Sequence, residues 1–130
     1  MVFTLKSPVL GFEQVKEVEF SESDELFATI ADTAGSGFVW TLVNPYRLRE
    51  YSFDLSNEAQ KTLGITEDSQ VLVYNVLALG DATENSEINF LAPIVFNKDT
   101  GAAAQIVLDG KQYPSFGVSQ KLSEFVVKAA

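Results

Sequence analysis

Histidine and cysteine are both absent from the chain, so neither an imidazole base nor a thiolate nucleophile is available. That excludes the commonest hydrolytic triads and most zinc sites. What remains for proton transfer is carboxylate, a chemistry that needs two acids held at a defined separation. Glu17, Glu19, Asp54, Glu67 and Asp68 are the stock, and none stands in a constellation that sets it apart from charged surface loops. A hydrolase built on carboxylates alone is therefore the weakest reading. Gly35 and Gly37 make no phosphate cradle, because no helix start follows them. The expectation is a protein that is not an enzyme and calls for no cofactor and no metal.

The chemistry that the residues do offer is recognition. Tyr46, Arg47, Arg49 and Tyr51 combine the residue types enriched in interface hot spots. They follow Asn44-Pro45, where the residue before proline is pushed out of the helical region and proline cannot donate to a sheet ladder. The segment is thus forced off whatever strand precedes it. Asp54 closes it, and Asn89, on the strand after the 80–86 loop, completes the candidate partner-binding set. Tyr and Arg also cover barrel rims without binding anything, and the acidic run at 22–25 reads first as a solvated turn.

The elements that position these residues follow from periodicity. Residues 38–43 alternate large side chains (Phe38, Trp40, Leu42) with Val39, Thr41 and Val43, the period of a core strand. Residues 2–5 predict an edge strand, 16–20 a second strand and 26–31 a third that pairs with the Trp40 strand as a hairpin. Ser56 is a suitable N-cap, Glu58 suits a first turn and Gly64 a C-terminal stop, so a short helix lies between them. Residues 71–79 are apolar on both faces, with Asn75 the one strongly polar interruption, and predict a central strand covered on both sides. Its amide is expected to be satisfied by neighbouring backbone. Residues 80–86 are a hairpin connection, and 88–96 resume the sheet with Pro93 imposing a bulge, bend or edge. A turn at 97–101, a strand at 104–108 and an Asp109-Gly110 hairpin signal follow. From Ser119, Leu122, Phe125, Val126 and Ala129 fall at helical spacing and predict a C-terminal amphipathic helix. The sum is an all-β fold, a small antiparallel β-barrel-like domain of roughly eight short strands with one short internal helix, occupying residues 1–130 as a single domain.

Nine Lys plus Arg against eighteen Asp plus Glu give a net charge of −9. Such a surface repels phosphate backbones and anionic lipid headgroups and steers basic partners toward it. Direct nucleic-acid binding and membrane binding are not expected. The lack of cysteine suits a reducing compartment. Neither a basic-then-apolar leader nor a stretch of eighteen apolar residues is present, so a cytoplasmic location is expected.

The order of several words carries a family resemblance: Gly11-Phe12-Glu13, then FVWTLVNPYRL from Phe38, EYSFDL from Glu50, the short helix ending at Leu63-Gly64, VLVYNVLAL from Val71 and INFLAPIVFN from Ile88. In this order and spacing they resemble the flagellar assembly factor FliW family over about the first hundred residues. The C-terminal stretch departs from that pattern. The resemblance implies a small β-barrel-like protein that binds flagellin and, when free, binds and antagonises CsrA, an RNA-binding translational repressor. The alternative read from the residues is a small-ligand-binding β-barrel, since ten Phe and one Trp are enough to line a cavity.

Overall fold

The computed structural model describes residues 1–7, 9, 12–80, 85–117 and 119–125. Strands β1 (Val2–Leu5), β2 (Glu17–Glu22), β3 (Phe27–Asp32) and β4 (Val39–Val43) form an antiparallel meander. Helix α1 (Asn57–Leu63) separates them from β5 (Val71–Ala78), β6 (Glu87–Ile88), β7 (Ile94–Asn97), β8 (Ala102–Gln105) and β9 (Gln120–Lys121). β4 pairs with β5, and β1 pairs in parallel with β8, so β1, β2, β3, β4, β5, β7 and β8 close into a seven-stranded ring. β1, read as an edge, is instead enclosed between β2 and β8. Closure removes the edge that an open sheet would expose at that position.

Period-two alternation sends one side chain in two into the barrel. Phe3, Phe20, Tyr74 and Phe96 meet there with ring centroids 5.0–6.4 Å apart, joined by Val18, Ile30, Leu42 and Ile94. The middle of the barrel is filled. The opposite faces of β5, β7 and β8 are covered too, which is why β5 reads as apolar throughout. Leu63 of α1 lies over Val95, Ala102 and Ala104, and Tyr51, Leu108, Phe116 and Leu122 lie over Val43 and Leu77. Helix α1 has the expected caps: Ser56 Oγ accepts the Ala59 N–H, and Gly64, at φ 67°, takes the left-handed conformation that only glycine adopts without strain.

β6 and β7 are one strand interrupted. Both run antiparallel to β5, but the six-residue step from Ile88 to Ile94 faces only the three-residue step from Leu77 to Tyr74. The surplus is the bulge at 89–93 that Pro93 imposes. The strand expected at 104–108 begins earlier, as β8, and residues 111–113 after Asp109-Gly110 form no strand. Asp109 O instead accepts the N–H of both Gln112 and Tyr113, a tight wrap rather than a hairpin.

The C-terminal amphipathic helix is not what residues 119–125 form. Gln120 and Lys121 pair with β6 as β9, and Leu122–Glu124 make a single 3₁₀ turn. Spacing of three residues suits both helix types, and pairing to β6 takes the first turn away. Residues 126–130 lie outside the described residues, as do Gly11 and 81–84 of the 80–86 connection.

Candidate functional site

The candidate segment leaves β4 as the proline requires. Asn44, in extended conformation, accepts the Tyr46 N–H on its side chain at 3.0 Å, and Pro45–Arg47 complete one 3₁₀ turn with Pro45 buried. The turn projects Tyr46, 53% exposed, and Arg47, whose guanidinium reaches Glu25 at 3.9 Å in the open. An ion pair so exposed contributes little. Tyr46 still rests its ring edge on Tyr51, 6.0 Å away. Glu25 belongs to a turn fixed by Asp24, whose carboxylate accepts the Phe27 and Leu26 N–H groups at 2.8 Å each. Those hydrogen bonds hold the Asp24 pKa below its usual value, in keeping with the structural reading of residues 22–25.

Arg49 and Tyr51 turn inward. The Arg49 guanidinium donates to Ser115 O at 3.1 Å and to Gln120 Oε1 at 3.5 Å, and its Cζ lies 5.2, 4.9 and 5.8 Å from the ring centres of Phe90, Phe116 and Phe125. Three aromatic faces around one cation make a clamp. It fastens the chain's last described stretch over the 89–93 bulge. Tyr51 is 5% exposed; its hydroxyl donates to Phe90 O and receives the Asn75 amide at 3.5 Å. Burial pushes the Tyr51 pKa up to about 12, partly opposed by the Asn75 hydrogen bond. Burial also raises the Tyr46 pKa.

Asn89 works in the same network. Its carbonyl accepts the Asn75 Nδ2–H at 2.9 Å and its side-chain oxygen caps the Leu91 N–H at 3.0 Å. Asn75 is therefore paired through its amide nitrogen as expected, while Asn75 Oδ1 is buried without a hydrogen-bond partner. Asp54 is exposed, and its backbone N–H donates to the Tyr113 hydroxyl at 2.9 Å. The six candidates thus divide. Tyr46, Arg47 and Asp54 face solvent; Arg49, Tyr51 and Asn89 build the base beneath them. The partners that sequence reasoning missed are Phe116, Ser115 and Tyr113, which are distant along the chain, and Phe125, whose spacing pointed to a helix face rather than to Arg49.

Fold and site together define a small closed β-barrel that presents a solvent-facing Tyr-Arg turn on a buried aromatic base. Among the described residues no group of three or more carboxylates stands at metal-holding distance, and no helix is long and apolar enough to cross a membrane.

The FliW protein family profile matches residues 1–116. A flagellar assembly factor of Wolinella succinogenes, FliW 1, is 45% identical over 126 residues, covering 97% of this chain and 98% of that protein. FliW 1 of Helicobacter pylori is 42% identical over 130 residues, covering 98% and 96%. A crystal structure of the flagellar assembly factor FliW superposes with a TM-score of 0.83 at 21% identity, covering 98% of this chain and 88% of that one; it bears on the fold. The chain belongs to the FliW family of flagellar assembly factors, a role that is not catalytic.

Proposed function

We propose that this protein binds flagellin and, once flagellin has been exported, is free to bind CsrA and relieve repression of flagellin translation. The observation that carries the reading is the Tyr46–Arg47 turn: two hot-spot residue types exposed on a base that Tyr51, Arg49 and Asn89 hold rigid. A preorganised anchor loses little entropy on binding. The acidic balance supports the CsrA step, since a protein that binds RNA is expected to carry a basic face. The proposed place of action is the cytoplasm, where unexported flagellin would be met. A small-ligand carrier would need an empty interior where Phe3, Phe20, Tyr74 and Phe96 now stand.

The test is titration calorimetry of the double variant Tyr46→Ala, Arg47→Ala against purified flagellin and CsrA, beside a thermal melt. Binding to at least one partner should weaken more than about ten-fold, or roughly 1.4 kcal/mol, with the melt within a few degrees of the parent. Unchanged affinity for both partners would move the site away from this turn. A collapsed melt would make the turn structural.

A further inference from the structure

At its C-terminal end β5 leaves β7 and pairs with β6, Leu77 opposite Ile88 and Ala78 opposite Glu87, and β6 pairs in turn with β9. This ribbon carries the sheet past the barrel mouth. The β4–β5 pairing runs from Val43 opposite Asn75 to Leu42 opposite Val76 and goes no further, and beyond it a gap lined by Trp40, Ala78 and Glu87 opens.

That gap is a cleft of about 420 Å³, within the range of ligand sites. Val9, Phe12 and Trp40 line its apolar part, while Glu87 and Asn89 supply polar groups. Glu87 carries the one charge among the described lining residues. It is exposed, and no ion pair joins it to a described cation. Lys121 faces it across β6 and β9 but does not engage it within ion-pair distance. An apolar slot ending in an unpaired acid suits a long aliphatic stem tipped by a cation. A guanidinium suits it best, because its planar fork matches a carboxylate while its apolar stem lies against aromatic side chains. Eighteen acidic side chains against nine basic ones favour a partner that presents such a group.

We propose that this cleft binds an arginine side chain of a partner protein, with the guanidinium on Glu87 and the stem against Phe12 and Trp40. It is separate from the Tyr46–Arg47 turn, and the proposal holds whether or not flagellin or CsrA is a partner. Trp40 is the single tryptophan, so its fluorescence reports on the cleft. The peptide acetyl-Gly-Arg-Gly-amide is titrated against its citrulline analogue, a neutral isostere. The arginine peptide should give a saturable change, and the citrulline peptide should bind at least about five-fold more weakly. Glu87→Gln should lose the same factor with an unchanged melt, and Lys121→Ala should bind the arginine peptide more tightly. Equal binding of the two peptides, undiminished binding to Glu87→Gln, or no saturable response to arginine would overturn the proposal.

Discussion

Burial places the Tyr51 hydroxyl near 12, well above the ordinary tyrosine value of about 10. The folded state therefore keeps a proton that the unfolded chain releases. This contribution is complete below pH ~10 and is lost as pH rises toward 12, a decline on the order of 2 kcal/mol. Tyr51→Phe gives up the hydrogen bond to Phe90 O, costing about 1 kcal/mol at neutral pH. It also removes the ionisation, so parent and variant stabilities should converge between pH 10 and 12. Urea denaturation across that range checks it; curves that stay parallel would mean Tyr51 ionises without unfolding cost. That Tyr51 is an anchor was not legible from its type. Tyr46 and Tyr51 share a residue type and a neighbourhood, and only the third dimension, with Phe90 and Asn75 beneath one of them, separates the exposed ring from the buried one.

Elements were legible where one physical cause dominated. Alternation located β2, β3 and β4 to within about two residues, because each has one buried face. Ser56 and Gly64 marked α1 because capping is local. Pro93 foretold the bulge but not its length, which depends on how β5 is shared between β6 and β7. Over residues 119–125 the expected helix does not form because Leu122 and Phe125 are spaced for either helix type, and β6 claims Gln120 and Lys121 first. The Trp40 strand offers the plainest test at this scale. Trp40 is 8% exposed and meets Phe12 and Phe38 at 4.9 and 5.8 Å. Trp40→Ala should destabilise by about 3–5 kcal/mol, since it strips the contacts with Phe12 and Phe38 and leaves a void where the indole was buried. Chemical denaturation measures this, and an unchanged midpoint would show that the ring tolerates the hole.

For the whole molecule, the ring is coated unevenly. The outer faces of β5, β7 and β8 lie under α1 and the Tyr51 layer, whereas β2 turns Glu17, Glu19 and Ser21 directly to solvent. Sequence showed the acidic surplus but not this division, because coverage comes from segments remote in the chain. An acidic surface open to solvent acts before contact, raising the local concentration of a basic partner, and it acts less as salt screens it. If CsrA is the partner, as proposed, its stopped-flow association should slow steeply as sodium chloride rises from about 10 mM, where the screening length is near 30 Å, to about 150 mM, where it is near 8 Å. Dissociation should change much less, since short-range contacts govern it. An association rate that holds steady across that range would leave the −9 charge with solubility as its only role.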